Sequence, residues 1–251
     1  MPATLSPRTA SSVLDQYHDF PVGRTASGLS FVNIQDEFVS WLSFANPGML
    51  AKGNLLCFDY AIRNMPKTGA MVEIGVCAGL STNLLAYYRA KHGVTNPFFN
   101  CDAWLFEGVV GDTLGQSSVR HDAYRAFVRE SYLRNVQMFS PSDLPHTIEL
   151  LSDDFFAAWE RREKRLDLFG QQATLGGPIS FCYIDGDHGY AQSRRDFENV
   201  DRHLLPGGFI LFDDSADGTR FEVGRVVEEV KGMPNYRVVV KNPNYLVQKM
   251  G

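Results

Sequence analysis

Cysteine is scarce in this 251-residue chain: Cys57, Cys77, Cys101 and Cys182 are the only four, and no two are spaced C-x-x-C. Three of them fall in or beside apolar runs, where a free thiol behaves as a small apolar residue. They read as reduced and structural, which suits the cytoplasm. No apolar run approaches the ~20 residues that span a bilayer, and the N-terminus lacks the apolar h-region of a signal peptide. No membrane partner is therefore expected. A strong basic block is also missing. The net charge is −5 and the pI about 5.7, so nucleic acid is not the expected partner. The run Arg161-Arg162-Glu163-Lys164-Arg165 is interrupted by acid and reads as a solvated helix face. There is no HExxH and no H-x-D/E pattern, which disfavours a zincin and a facial-triad iron oxygenase. No internal repeat or low-complexity tract occurs.

What is present is acid at the ends of apolar strands. Phe181-Cys182-Tyr183-Ile184 runs into Asp185-Gly186-Asp187-His188, and Phe209-Ile210-Leu211-Phe212 into Asp213-Asp214. A helical stretch and the break Pro206-Gly207-Gly208 lie between them. That is a β-helix-β unit, whose strands lie parallel and end at the same sheet edge. The four carboxylates therefore converge in space. Such an edge is where α/β folds bind ligands. Repulsion makes the cluster costly unless something positive sits among it, and a divalent cation or a cationic cofactor would serve.

The alternation continues on both sides. Residues 1–33 show no clear period and read as an arm, a lid or partly disordered chain. Residues 35–45 and Met49 to Met65 read as helices, the second ended by Pro66 and Gly69. Strands are predicted at 70–76, 97–101, 147–151, 179–184 and 209–212. Helices are predicted at 80–92, 121–137, 155–168, from Tyr190 to Leu204, and around Val223 to Val230. Residues 108–120 read as a loop. Tyr236–Val240 and Tyr245–Gln248, split by Asn242-Pro243-Asn244, read as a closing hairpin that adds an antiparallel strand. Repeated β-then-α units imply a doubly wound sheet. Two parts follow, an arm or lid over 1–45 and one α/β domain over 46–251.

The first strand leads into Glu73-Ile74-Gly75-Val76-Cys77-Ala78-Gly79 at a strand-to-helix turn, where backbone N–H groups face the crevice. A dinucleotide fingerprint reads G-x-G-x-x-G; here Cys77 takes the middle position, so the turn fits a pyrophosphate poorly. Glu73 would repel phosphate and suits a cationic ligand. Asp102 ends strand two, where an acid can accept ribose hydroxyls, and Asp153 follows strand three, near where an adenine would lie. Either acid alone also makes an ordinary helix cap or turn.

With Glu73-Ile-Gly75-x-x-x-Gly79-Leu80-Ser81-Thr82, Asp102, Asp153, Tyr183-Ile-Asp185-Gly-Asp187-His188-x-Tyr190 and Pro206-Gly-Gly208-x-x-x-x-Asp213-Asp214, the chain from about Met49 onward resembles a class I S-adenosylmethionine-dependent methyltransferase. The last two motifs resemble the metal-dependent macrocin and sugar O-methyltransferase-like group. The resemblance implies a Rossmann-like, doubly wound α/β fold: a mostly parallel seven-stranded sheet with a C-terminal antiparallel strand. It implies S-adenosylmethionine bound by Glu73, Gly75, Val76, Gly79, Ser81, Asp102, Ser152, Asp153 and Asp185. It implies Mg²⁺, or another divalent cation, held by Asp185, Asp213 and Asp214, and it makes Asp187 a base. Catechol-type relatives carry lysine after the second acid; here His188 stands there, which weakens a catechol-type assignment and makes His188 a second candidate base.

The implied reaction is methyl transfer to a hydroxyl of a small molecule of sugar or natural-product type. Residues 1–45 and 104–120 would shape the acceptor pocket, with Trp41, Phe44, Trp104 and Phe106 available for stacking or for core. Homo-oligomerisation stays open. The alternatives are a hydrolytic or non-catalytic Rossmann-like protein binding a nucleotide or small molecule. Gly79-Leu80-Ser81-Thr82-Asn83 nearly matches the G-x-S-x-G hydrolase elbow but has Asn83 for its second glycine. The four acids argue against a mere binder.

Overall fold

In the computed structural model, residues 13–106 and 111–251 are described. A short hairpin, β1 (Val22–Arg24) and β2 (Ser30–Val32), precedes two helices, α1 (Glu37–Ala45) and α2 (Asn54–Asn64). Alternation then begins: β3 (Ala70–Ile74), α3 (Leu80–Lys91), β4 (Phe98–Cys101), α4 (His121–Phe139), β5 (His146–Ile148) and α5 (Ser152–Glu160). A second small hairpin, β6 (Lys164–Leu166) and β7 (Gln172–Thr174), leads to β8 (Ile179–Ile184), α6 (Tyr190–Asp201), β9 (Leu204–Phe212) and α7 (Val223–Lys231). The chain closes with β10 (Tyr236–Lys241) and β11 (Tyr245–Lys249).

The seven-stranded sheet has the order β10-β11-β9-β8-β3-β4-β5. Strands β5, β4, β3, β8 and β9 pair in parallel; β11 inserts antiparallel between β9 and β10. Side chains alternate across each strand, and this splits the core in two. Val72, Ile74, Cys182, Ile184, Ile210 and Phe212 face the layer of α5, α6 and α7. Met71, Phe181, Tyr183, Phe209 and Leu211 face α2 and α3. Helix α7 meets the sheet through Val223, Val226, Val227 and Val230, one stripe at helical spacing.

Three expectations are corrected. The helix predicted to Leu168 ends at Glu160, because Arg162 turns left-handed (φ +53°) and the chain doubles back into β6 and β7. The charged residues 161–165 offer no apolar face to extend it. Leu204 opens β9 rather than ending a helix, and Pro206-Gly207-Gly208 lies inside the strand. The register there jumps from Ile179 opposite Leu204 to Phe181 opposite Phe209. The third strand runs His146–Ile148, not to Leu151.

The arm also has structure over its described part. Val13, Tyr17 and Ile34 are buried in the α2–α3 layer. The Tyr17 hydroxyl donates to Asp59 Oδ2 at 2.7 Å, and the Val32 amide donates to Asn242 Oδ1 at 2.7 Å. Residues 1–12 and 107–110, the latter including the start of the loop expected at 108–120, lie outside the described residues.

Candidate active site

Sheet order reverses between β3 and β8, and open α/β sheets bind ligands beyond the C-terminal strand ends at such a switch point. The parallel ladder runs one residue past the strands. Gly75 N donates to Cys101 O at 2.9 Å, Asp185 N to Ile74 O at 2.8 Å and Asp213 N to Ile184 O at 2.9 Å. Gly75, Asp185 and Asp213 therefore stand side by side along the edge. Gly75 has φ +81°, and a Cβ there would lie 2.0 Å from the Asp185 carbonyl oxygen; only glycine fits both demands.

The turn after β3 is held from several sides. Asp102 accepts from the amides of Val76 (2.8 Å), Cys77 (3.1 Å) and Trp104 (2.5 Å). Burial raises its carboxyl above the ordinary range while these amides pull it down. The Trp104 indole donates to Cys77 O at 2.9 Å, and Asn46 and Asn135 both donate to Ala78 O, at 3.0 and 2.8 Å. Cys77 (φ +45°) and Gly79 (φ +90°) take left-handed backbone inside this frame. Trp104 is 1% exposed, so it braces the turn from the core rather than lining a pocket. Phe106 leans on Tyr124, with ring centroids 5.2 Å apart.

Glu73 is fully buried beneath the turn. Its Oε2 accepts from Thr82 Oγ1 at 2.7 Å and Asn100 Nδ2 at 2.9 Å; its Oε1 has no hydrogen-bond partner among the described residues. Burial pushes the carboxyl up to about 8. Ser81 is buried in the first turn of α3, which leaves no exposed serine at the elbow that a hydrolase needs.

Across the switch point the acids meet one another. Burial, and then the neighbouring Asp213 carboxylate with which it shares a hydrogen bond, raise Asp185 well above the usual range. Asp213 is buried, and its Oδ1 accepts from Asn54 Nδ2 at 2.5 Å and Asn244 Nδ2 at 2.8 Å. Asn244 Nδ2 also donates to Asn54 Oδ1 at 3.0 Å. Asp214, left-handed at φ +49°, lies 3.6 Å from His188 Nε2. The His188 ring leans on Phe221, centroids 4.9 Å apart. Asp187 is exposed, and its Oδ1 accepts from Gly189 N at 2.7 Å. Among the described residues, no three His, Cys, Asp or Glu side chains lie close enough together to hold a metal ion. The donor set at Asp185 and Asp213 is nonetheless hard oxygen, of the kind Mg²⁺ takes.

Ser152 and Asp153 open α5 and face α6. Ser152 Oγ donates to Asp196 Oδ1 at 2.6 Å, and Asp153 accepts from Arg195 Nε and Asn199 Nδ2, both at 3.1 Å. The switch-point edge thus gathers Gly75, Val76, Gly79, Asp102, Asp185, Asp213, Asp214 and His188, with Glu73 buried beneath it; Ser152 and Asp153 are bonded to α6. Sequence reasoning missed Asn46, Asn54, Asn135 and Asn244. The one available signal was the Asn242-Pro243-Asn244 turn, read only as a hairpin break. No described helix is long and apolar enough to cross a membrane.

Residues 72–215 match a sequence family described as a methyltransferase domain. No curated protein matches the chain. Among solved structures, the chain is similar to an O-methyltransferase from Bacillus cereus in complex with SAH, at 16% identity and a TM-score of 0.52, covering 85% of this chain and 90% of that one. It is similar to the SAH-bound methyltransferase PaMTH1 of Podospora anserina, at 12% identity and 0.53, over 100% of both chains. CalS11, a calicheamicin methyltransferase, is similar at 15% identity and 0.51, covering 88% and 95%. At these identities the likeness establishes the fold. The family match spans more than half of the chain, and the chain therefore belongs to this methyltransferase-domain family.

Proposed function

We propose that the protein methylates a hydroxyl oxygen of a small molecule, of sugar or natural-product type, with a divalent cation, Mg²⁺ first, held by Asp185, Asp213 and Asp214. The observation that carries this reading is the juxtaposed Asp185–Asp213 pair beside the Gly75 turn. A buried and a half-buried carboxyl set against each other are costly until a proton or cation balances them. The cation supplies positive charge that lowers the acceptor hydroxyl's pKa and fixes its position. S-adenosylmethionine supplies an electrophilic methyl carbon: the C–O bond forms as the S–C bond breaks, and the electron pair stays on sulfur.

The chain's own residues position and deprotonate. The Asp102-braced turn holds the cofactor near the switch point, so that the transfer runs in line. His188 takes the acceptor proton. It lies beside Asp214, whereas Asp187 points to solvent and caps Gly189. The described part of the arm, residues 13–45, borders the acceptor in this reading. Trp41 and Phe44 on α1, 64% and 84% exposed, are free to stack on a sugar or aromatic ring. The acidic pI and absence of a basic block favour a small acceptor over nucleic acid, and the free thiols suit the cytoplasm.

Calorimetry with S-adenosylhomocysteine against NAD tests the cofactor, and preference for NAD defeats the reading. A mass-spectrometric screen of hydroxylated acceptors, with Mg²⁺ and after exhaustive chelation, tests the rest. Transfer unchanged by chelation removes the cation. His188→Ala is expected to slow transfer by ~10²–10⁴-fold while cofactor binding survives. Full activity in that variant, with loss in Asp187→Ala, moves the base to Asp187.

A further inference from the structure

The hydrogen bonds behind Ser152 have a direction, and that direction limits what Ser152 can bind. Arginine offers donors only. Arg195 donates to Gln192 Oε1 and, at 3.1 Å, to Asp153 Oδ2. This sets the Gln192 amide, whose nitrogen donates to Ser152 Oγ and Asp196 Oδ1, each at 3.0 Å. Ser152 then donates its single proton to Asp196 Oδ1 at 2.6 Å. One hydroxyl proton and one of two lone pairs are spent, so Ser152 retains a single acceptor site and no donor.

Asp196 enforces this polarity. It is fully buried on α6, and its Oδ2 has no hydrogen-bond partner among the described residues. That oxygen lies 3.6 Å from where a Cβ on Gly186 would stand, so the carboxyl reaches beneath the Asp185-Gly186 turn. Burial raises it to about 6, which leaves it ionised, and an acceptor only, above that pH. Ser152 itself is partly exposed, just past β5 and on the far side of β4 from the Gly75 turn. A nucleoside that starts at the turn and crosses Asp102 brings its base to this end.

We infer that Asp196 is a specificity-setting residue of the cofactor site, which through Ser152 makes that site accept the amino group of a 6-aminopurine and refuse a 6-oxopurine. Adenine presents an N–H donor at C6. Hypoxanthine presents a carbonyl oxygen, which would face the Ser152 lone pair and leave both unpaired. The inference rests on the S-adenosylmethionine reading. It assigns Asp196 a positioning role, since the carboxyl acts only through the serine.

S-adenosylhomocysteine and S-inosylhomocysteine differ at C6 and are the probes. Calorimetry at about pH 8, where an acid of pKa near 6 is ionised, is applied to the wild type and to Ser152→Ala, Asp196→Ala and Asp196→Asn. The wild type is expected to prefer the adenosyl compound by about tenfold or more. Ser152→Ala and Asp196→Ala should bring the two affinities near parity. Asp196→Asn, whose amide oxygen still accepts from Ser152, should keep the preference. A merely structural role would lower both affinities together and leave their ratio unchanged. Equal wild-type affinities, or the wild-type ratio retained in either alanine variant, overturn the inference while cofactor binding stands. A folded wild type that binds neither compound overturns the cofactor reading itself. Should Asp196→Ala lose cooperative melting, Asp196→Leu, similar in shape and without an acceptor, takes its place.

Discussion

The two halves of the crevice satisfy their acids differently. Around β3 and β4, the donors come from the same βαβ unit. Thr82 and Asn100 lie 9 and 27 residues from Glu73, and the Val76 amide lies 26 from Asp102. Around β8 and β9, the acids face one another. Asp213 draws its donors from Asn54, 159 residues away, and Asn244, 31 residues away. The first half is a donor-rich cradle. In the second, burial and the neighbouring Asp213 raise Asp185 well above the usual range, so that half gains most from a cation or a proton. One half is suited to hold the cofactor and the other to act on the acceptor.

Gly75 is the seam between the halves, and its substitution should have the largest effect. Gly75→Ala forces a side chain against the Asp185 carbonyl and a left-handed backbone on alanine. A loss of ~3 kcal/mol or more in stability is expected, because strain and overpacking act together, together with loss of S-adenosylhomocysteine binding. Urea melts and calorimetry check both. Normal binding in that variant would mean that the halves are not rigidly joined.

Asp213→Asn breaks the second half alone. Methyl transfer to an acceptor found by the screen should fall by ~10²–10³-fold, as for removal of a preorganised charge. S-adenosylhomocysteine affinity should stay within a few-fold. Parallel loss of affinity and rate would erase the division of labour. Asp102→Ala breaks the first half. It frees three backbone amides of the turn and should weaken S-adenosylhomocysteine binding by ~1–3 kcal/mol, with a lowered melting temperature.

A change in the slope of stability against pH sharpens the comparison without breaking it. Glu73 has a folded pKa of about 8 against an ordinary 4.5. Between these values the folded state keeps a proton that the unfolded state has lost. Its contribution is fully present below the ordinary value and is lost as pH rises through about 8. The slope is at most about 1.4 kcal/mol per pH unit. Glu73→Gln, neutral throughout, should flatten the stability profile from about pH 5 to pH 8 relative to wild type. An unchanged slope in denaturant melts would show that Glu73 is ionised and balanced.

Much of this was legible in advance. Apolar runs ending in Gly75, Asp102, Asp185 and Asp213 announced parallel strands and the acids at their ends, and the order of elements announced the doubly wound sheet. Where periodicity failed, so did the reading. The charged stretch at 161–168 passed for helix and is largely hairpin, and Leu204 passed for a helix end because a strand with a break inside it resembles a boundary. The partners of Asp153, Arg195 and Asn199, lie one crossover away and could not be read from its local sequence. The role of Trp104 could not be seen either, since an aromatic beside a strand end looks the same whether it lines a pocket or braces a turn.

The sequence by itself determined which residue types stand at each strand end and which face of each strand is apolar, because both follow from a period of two and from turns a few residues long. Only the tertiary structure decided which acids are answered and by what. Asn54, Asn135 and Asn244 are chemically no different from the chain's other asparagines until folding brings one carboxylate or carbonyl within 3 Å of them. A hydrogen bond depends on distance and direction, and neither is written in the local pattern of a chain.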